Sequence, residues 1–355
     1  MRKIYSALTT WIALAIIGCL PFHANGANPE TGKDKKGSAP VVIAYVTSWS
    51  HILPDPEVVT HINYAFGHVT ESFDGIGIAN EKRLRTLTEL KKQKPSLKIL
   101  LSIGGWGSGR FSEMAATPEN RKAFAADCKR VIREFNLDGV DIDWEYPTSK
   151  AGGISASPDD TRNYTLMMQE IRKAIGKKKL LTLASVASGK YIDFAGIEPF
   201  VDFVNIMTYD IANPPYHHAS LFHSDMTRGV SCEESVEAHV KAGMPVHRLA
   251  LGIPFYGHGK EGIDDFINYK KIVGLIDNGT YKRKWDEQAK VPYLINKDGK
   301  MVCTYEDAES IRGKCRFIRE KGMLGGMYWD YDGDDAQGTL RKAVYEGVTG
   351  DSLDK

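Results

Sequence analysis

Short apolar runs alternate with longer amphipathic stretches along the chain from Val41 onward. The runs have the length and the near-continuous hydrophobicity that are typical of buried parallel strands. The predicted strands are VVIAYV from Val41, HINYAF from His61, KILLSI from Lys98, GVDID from Gly139, LLTLASV from Leu180, VDFVNIM from Val201, RLALGI from Arg248 and GGMYW from Gly325. The longer stretches have one apolar face each, which predicts helices at 81–94, 119–135, 161–175, 233–242 and 306–321.

Eight strands in strict alternation with helices favour a closed barrel over an open sheet. The sequence therefore predicts an α/β protein, a (β/α)8 TIM barrel that occupies residues 41–349, with a tail at 350–355. Residues 257–304 are too many for a plain loop. We interpret them as a small insertion between the seventh strand and its helix.

The first residues have the pattern of a targeting segment. Arg2 and Lys3 precede an apolar run at 8–20, which is too short to span a bilayer as a mature helix. We therefore predict a signal peptide within residues 1–26 and an exported protein.

Two positions for its cleavage stay open. Ala24-Asn25-Gly26 offers small residues to an ordinary signal peptidase, which would give a secreted protein. Ile16-Ile17-Gly18-Cys19 resembles a bacterial lipobox, in which Cys19 carries a lipid and tethers the protein to a membrane. The second alternative predicts a cell-envelope lipoprotein, periplasmic or surface-exposed. Residues 27–40 are polar and would form a flexible tether.

Composition narrows the classes of partner. The chain has 355 residues, of which 42% are hydrophobic and 26% are charged, an ordinary balance for a globular protein. With a formal net charge of only +1, the protein has no overall electrostatic attraction for nucleic acid, so we expect no nucleic-acid partner. An uncharged partner is the natural expectation, and we expect a monomer.

Neither the cysteines nor the histidines show the spacing of a metal site. Within the predicted barrel, Cys128, Cys232, Cys303 and Cys315 form no CxxC pair. We interpret them as buried thiols, and one disulfide formed after export stays open. His217, His218 and His223 have no ligand spacing either, so no metal is predicted.

The fourth predicted strand carries unusual chemistry. Side chains alternate along a strand, so Asp141, Asp143 and Glu145 share one face, and the apolar residues between them take the other. The apolar face must meet the helices, which leaves three carboxylates inside the barrel. Their repulsion raises at least one pKa, and a protonated carboxyl beside an ionised one suits glycosidic bond cleavage. Asp138 has the opposite parity and is expected to brace the start of the strand.

A solvated strand end or a divalent-metal site is the alternative explanation of these carboxylates. Calcium loops, however, space their carboxylates along a turn with a glycine bend. That alternative accounts for neither the alternation nor the neighbouring aromatic residues.

The segment Asp138-x-x-Asp141-x-Asp143-x-Glu145 resembles the DxxDxDxE signature of family 18 glycoside hydrolases. Trp144 and the pair Tyr146-Pro147 resemble the chitinase branch of that family. Further segments resemble the family's motifs in the same order: Ser102-Ile103-Gly104-Gly105-Trp106, Met207-Thr208-Tyr209-Asp210, Pro254-Phe255-Tyr256-Gly257 and Gly326-Met327-Tyr328-Trp329.

The resemblance implies a substrate-assisted retaining mechanism that needs no cofactor. Glu145 would protonate the glycosidic oxygen, and the sugar's own acetamido carbonyl would attack its anomeric carbon to give an oxazolinium ion. Asp143 would orient the acetamido group, and Tyr209 would donate a hydrogen bond to its oxygen. Asp141, helped by Ser102, would share a proton with Asp143.

The resemblance also implies a cleft with aromatic walls, because sugar rings pack their C–H faces on flat side chains. Trp329 would form its floor and Trp106 would lie on the leaving side. The walls would be completed by Tyr45, Phe66, Met207, Asp210 and Tyr256. For a lone aromatic residue such as Phe66, core packing is an equal alternative.

Two features depart from the family's pattern. Many relatives carry an arginine where this chain has His258. The insertion is also shorter than in deep-cleft chitinases, which favours a shallower groove and leaves exo and endo action open.

Three functions remain as hypotheses. The first is a chitinase that hydrolyses β-1,4 bonds between N-acetylglucosamine units of chitin or chito-oligosaccharides. The second is an endo-β-N-acetylglucosaminidase that acts on N-glycans and shares the catalytic residues. The third, a non-catalytic carbohydrate-binding barrel, is disfavoured because Glu145 is present.

Overall fold

The computed structural model describes residues 39–353. The predicted signal peptide at 1–26, the lipidation candidate Cys19 and nearly all of the predicted tether at 27–40 lie outside the described residues. The same holds for the last two residues of the predicted tail.

Eight parallel strands form a closed barrel in the described part of the chain. Each strand pairs in parallel with its neighbours, and the first pairs with both the second and the eighth, which closes the sheet. The barrel strands are β1 (Val41–Thr47), β2 (His61–Val69), β3 (Lys98–Gly104), β4 (Gly139–Asp143), β5 (Leu180–Val186), β6 (Phe203–Met207), β7 (Leu249–Pro254) and β8 (Gly325–Trp329). The predicted (β/α)8 TIM barrel is confirmed, since every strand falls on a predicted apolar run.

Helices follow the strands, and most of them cover the outside of the barrel. They are α1 (Glu81–Thr88), α2 (Phe111–Ala116), α3 (Pro118–Glu134), α4 (Asp160–Ile175), α5 (Phe194–Ile197), α6 (Cys232–Lys241), α7 (Tyr269–Asp277), α8 (Ala308–Glu320) and α9 (Thr339–Thr349). Local sequence fixes several of their starts. Thr117 caps the backbone of Asn120 with Pro118 in the first turn of α3, and Ser231 with Glu234 forms a capping box on α6.

One predicted helix is shorter than expected. The stretch 81–94 is helical only to Thr88 and continues as a 3₁₀ turn, Glu89–Lys92. Pro95 disfavours the α conformation at Lys94, so the helical stretch ends before that proline.

The faces of β4 divide as the alternation predicts. Val140, Ile142 and Trp144 belong to the apolar layer between the strands and the helices. Trp144 stacks on Phe111 of α2 with ring centroids 5.3 Å apart and also meets Tyr164 of α4 at 6.0 Å. The outward face is thereby fully packed, and the acidic face is left to the barrel interior.

The predicted insertion folds into a small antiparallel sheet of its own. Its strands lie in the order Ile267–Asn268, Tyr256–Gly259, Met301–Thr304, Val291–Ile295 and Lys282–Asp286, and α7 belongs to the same segment. Because the segment starts immediately after β7, it stands at the carboxyl-terminal end of the barrel. Active sites of such barrels lie at this end.

The four cysteines of the barrel are buried thiols, and none forms a disulfide in the described range. Among residues 39–353, no helix has the length and hydropathy that crossing a membrane requires.

Asp138 lies at the amino-terminal end of the barrel, where the sequence placed it. Its Oδ2 accepts hydrogen bonds from Lys91 Nζ at 2.8 Å and from the backbone N–H of Ile99 at 2.9 Å. Lys98 Nζ is 3.8 Å from its other oxygen. The carboxylate thus ties the starts of β3 and β4 to the turn after α1.

We expect Asp138→Ala to lower the free energy of unfolding by about 1–3 kcal/mol, because it removes a charge-assisted pair and leaves a backbone donor unpaired. Thermal unfolding followed by calorimetry measures the effect. Glu89→Ala is the control, since it breaks the exposed pair with Lys92 and should change little. Equal melting temperatures for Asp138→Ala and the wild type would contradict the bracing role.

Candidate active site

Asp141 is buried on the barrel axis and receives four hydrogen bonds. Tyr45 Oη and Ser102 Oγ donate to its Oδ2 at 2.7 and 2.8 Å. Thr182 Oγ1 and Asn205 Nδ2 donate to its Oδ1 at 2.6 and 3.2 Å. Burial raises the pKa of Asp141, and these four hydrogen bonds oppose the rise. Both oxygens are saturated by donors from β1, β3, β5 and β6, an arrangement that favours a carboxylate ion.

The barrel register brings these donors together. Ser102 on β3 and Thr182 on β5 are the direct neighbours of Asp141 on either side. At the end of β3, a side chain on Gly104 would place its Cβ 2.0 Å from the carbonyl oxygen of Asp143. Gly104 therefore allows β3 to approach β4 closely beside Asp143.

Asp143 lies two residues further along the same face but in a different environment. It is 4% exposed, and its Oδ1 has no hydrogen-bond partner among the described residues. Burial, then the charges of Glu145 and Asp141, raise the pKa of Asp143 well above its usual value. Because the donors all serve Asp141, a proton held by this pair resides on Asp143.

Glu145 follows β4 and stands at the edge of the cleft. Burial raises its pKa to about 7, with a hydrogen bond from Tyr146 opposing the rise and the charge of Asp210 adding to it. A carboxyl group with this pKa holds a proton up to neutral pH and is suited to general acid catalysis.

Tyr209 follows β6 and is 9% exposed. Its hydroxyl lies 3.9 Å from Met327 Sδ, and a thioether is a weak acceptor. The hydroxyl therefore retains the capacity to donate a stronger hydrogen bond to a group bound in the cleft.

Asp210 joins two histidines on one wall of the cleft. Its Oδ1 is 2.5 Å from Tyr256 Oη, 2.7 Å from His258 Nε2 and 3.9 Å from His218 Nδ1. Although partial desolvation in the cleft would raise the pKa of Asp210, these three neighbours hold it well below its usual range. One donor atom from each of Asp210, His218 and His258 lies within 4.8 Å of the others, a set that could hold a metal ion.

Aromatic rings form the other wall of the cleft. Trp329 stacks on Phe66 with centroids 5.6 Å apart and planes 19° apart. Tyr45 supports Trp329 at 5.7 Å. Trp106 stands 66% exposed beyond β3.

The structure brings most predicted site residues together. Asp141, Asp143, Glu145 and Tyr209 converge at the carboxyl-terminal end of the barrel, and Met207 lines the same cleft as Glu145 and Asp210. Tyr45 and Tyr256 are each only 2% exposed, so their hydroxyls hold Asp141 and Asp210. Asp138 lies at the opposite end.

Two contributors, Thr182 and Asn205, escaped the sequence interpretation, and His218 and His258 were named there without the partnership with Asp210 that the structure shows. Thr182 and Asn205 were visible as polar positions inside apolar strands, but nothing showed what they would face.

A parallel barrel that presents a proton-bearing carboxyl group, further buried carboxylates and aromatic walls at this end has the architecture of a glycoside hydrolase. Comparisons with known proteins agree. The family described as "Glycosyl hydrolases family 18" matches residues 41–334. The chain therefore belongs to family 18 of the glycosyl hydrolases, and it is a glycoside hydrolase.

Among its relatives is Chitinase A1 of Niallia circulans, 33% identical over 93% of this chain and 52% of its own length. The chain thus spans about half of that relative. Chitotriosidase-1 of Mus musculus is 29% identical over 86% of this chain and 75% of its own length. A solved family 18 N-acetylglucosaminidase from Paenibacillus barengoltzii superposes with a TM-score of 0.80 at 35% identity, covering 87% of this chain and 99% of that one.

Because the pKa of Glu145 is raised, we expect the stability of the fold to depend on pH. The folded state favours the protonated form of Glu145. The contribution of Glu145 to the free energy of unfolding is therefore fully present below its ordinary pKa of 4.5 and is lost as the pH rises through about 7. Glu145→Gln cannot ionise. We expect it to match the wild type at pH 4 and to be more stable at pH 8 by roughly 1–3 kcal/mol.

Thermal unfolding of both proteins across this pH range measures the difference. Glu71→Gln, which changes a 90% exposed carboxylate, is the control and should show no such gain. A constant difference between Glu145→Gln and the wild type at all pH values would refute the assigned environment.

Proposed function

We propose that this protein is a chitinase, which hydrolyses β-1,4 bonds between N-acetylglucosamine units of chitin or chito-oligosaccharides. The observation that carries the proposal is that three carboxyl groups on one strand face have different environments. Asp141 is held by four donors, Asp143 has an unpartnered oxygen, and Glu145 has a pKa of about 7. The names of the chitinase relatives support the same substrate class.

The proposed mechanism takes its nucleophile from the substrate. Glu145 gives its proton to the glycosidic oxygen while the neighbouring acetamido carbonyl attacks the anomeric carbon. An oxazolinium ion forms and the leaving sugar departs with that proton. Glu145, now ionised, takes a proton from water. The resulting hydroxide attacks the anomeric carbon and opens the oxazolinium ring, so the anomeric configuration is retained.

Asp143 and Tyr209 align the acetamido group in this scheme. The unpartnered oxygen of Asp143 accepts the acetamido N–H, and the hydroxyl of Tyr209 donates to the acetamido oxygen. As positive charge develops, Asp143 passes its proton to Asp141, whose hydroxyl donors can turn to accommodate it. An ionised Asp143 then stabilises the cation.

Aromatic packing supports a sugar chain as the ligand. The ring of Trp329 packs on Phe66 and Tyr45 but remains partly exposed, which suits it to pack against a pyranose ring. Exposed Trp106 offers a further flat surface beyond the acid.

A second candidate function is cleavage next to N-acetylglucosamine in N-glycans, as an endo-β-N-acetylglucosaminidase. Its support is the 35% identity to a protein described as an N-acetylglucosaminidase, a name that shares the sugar and specifies neither endo action nor N-glycans. The same catalytic residues would serve both substrates, so only the shape of the subsites separates them.

Product analysis separates the two candidates. We expect the wild type to shorten chito-oligosaccharides and to leave a high-mannose glycoprotein intact. Glu145→Gln should lose several orders of magnitude in turnover while still binding the oligosaccharide, because only proton transfer is removed. Release of the glycan with no cleavage of the oligosaccharide would favour the second function. Near-normal turnover by Glu145→Gln would reject both.

The origin of the nucleophile is a separate prediction. A substrate with a hydroxyl in place of the 2-acetamido group should be almost inert, and a thiazoline analogue of the oxazolinium should inhibit competitively. Tyr209→Phe should lower kcat more than it raises KM, because its hydroxyl acts during attack. Mass spectrometry of the denatured enzyme checks the alternative. A glycosyl adduct on Asp143, or rapid cleavage of the plain glucoside, would show that the protein supplies the nucleophile.

A further inference from the structure

Three side chains from separate segments meet on one wall of the catalytic cleft. Asp210 ends the motif after β6, His218 lies eight residues later in the following loop, and His258 belongs to the first strand of the insertion. His258 Nε2 is 2.7 Å and His218 Nδ1 is 3.9 Å from the same carboxylate oxygen of Asp210. The two imidazole rings are 5.0 Å apart, centroid to centroid.

His218 is the unusual member of the group. It is fully buried, and neither of its ring nitrogens has a hydrogen-bond partner within residues 39–353. Leaving buried polar atoms unpaired costs free energy, so such a group points to a ligand.

His258 is oriented as metal-binding histidines are. While its Nε2 points to Asp210, its Nδ1 lies 3.3 Å from a carboxylate oxygen of Asp265. A carboxylate behind the distal nitrogen fixes the ring and increases its basicity, and this pairing recurs at zinc sites.

We propose that Asp210, His218 and His258 bind a divalent transition-metal ion of the Zn²⁺ class, and that the bound ion inhibits the enzyme. Two imidazoles and one carboxylate are a common zinc donor set, and three protein ligands leave one position open. Tetrahedral ligands with bonds of about 2.0–2.1 Å lie roughly 3.4 Å apart. The separations of 2.7 and 3.9 Å from Asp210 lie on either side of that value, and all three donor atoms lie within 4.8 Å of one another.

The site is accessible from the cleft. The Asp210 side chain is 54% exposed, whereas the two histidines beneath it are 1% and 13% exposed. An ion would therefore enter at Asp210 and be held from below by the imidazoles.

Inhibition follows from the position of the ion. The proposed hydrolysis passes through a cationic sugar, and a divalent cation on the cleft wall destabilises that charge. The ion also engages the Asp210 carboxylate, which is then lost to the substrate. This half of the inference rests on the proposed function, whereas the binding half does not.

Metal binding is tested first, on the untagged protein after chelator treatment. We expect calorimetry to show one Zn²⁺ per chain, and Co²⁺ to give the visible absorption of a tetrahedral site. His258→Gln and Asp210→Asn should each weaken Zn²⁺ binding at least tenfold, and Asp265→Asn by about tenfold because it acts through His258. Circular dichroism verifies that each variant is folded.

His223→Gln is the matched control. His223 lies in the same loop as His218 but is exposed and paired with Glu234, so its loss should leave the affinity unchanged. The site is refuted if Zn²⁺ does not bind in one-to-one ratio, if the Asp210 and His258 variants bind as tightly as the wild type, or if His223→Gln loses binding equally.

Inhibition is tested on chito-oligosaccharide turnover. We expect Zn²⁺ to suppress it over the concentration range in which it binds, and a chelator to restore it. Binding without suppression would overturn the inhibitory half alone. A metal-free enzyme that cleaves no oligosaccharide would instead overturn the proposed function, while the binding result would stand by itself.

Discussion

The carboxylate of Asp141, buried on the barrel axis, is the group on which the rest of the site depends. Transfer of such a charge out of water costs several kcal/mol unless it is well hydrogen-bonded. Its four donors come from β1, β3, β5 and β6, so they converge only when the barrel is closed and in register. Closure of the barrel and assembly of the hydrogen bonds around Asp141 therefore occur together.

The same constraint gives the neighbouring carboxyl groups different roles. Since the donors at this level serve Asp141, Asp143 is left buried with an unpartnered oxygen and a strongly raised pKa. Glu145, one step nearer the cleft, is buried enough to hold a proton near neutrality and exposed enough to reach a substrate. In the proposed mechanism, their different environments let three chemically similar side chains serve as an anchor, an aligning group and an acid.

Much of this could be predicted from the sequence, because a strand alternates its faces with a period of two. That period placed Asp141, Asp143 and Glu145 inside and Trp144 outside without knowledge of any neighbour. The period could not identify the partners of Asp141, of which only Ser102 was expected through the family resemblance, since the register between strands depends on the shear of the barrel and not on any one strand. For the same reason, the sequence shows Thr182 and Asn205 only as polar residues within apolar runs. His218 and His258 are 40 positions apart, and only the fold of the insertion brings them together.

His258 shows how one departure from the family's pattern changes a site. The family pattern that the sequence resembles has an arginine there, and a guanidinium is a permanent cation with donors but no lone pair to offer. An arginine could pair with Asp210 but could not bind a metal ion. The imidazole keeps a 2.7 Å contact with Asp210 and adds a ligand atom beside the unpartnered ring of His218. An imidazole at this position can therefore hold Asp210 and, in the proposed site, also bind a cation, which an arginine could not.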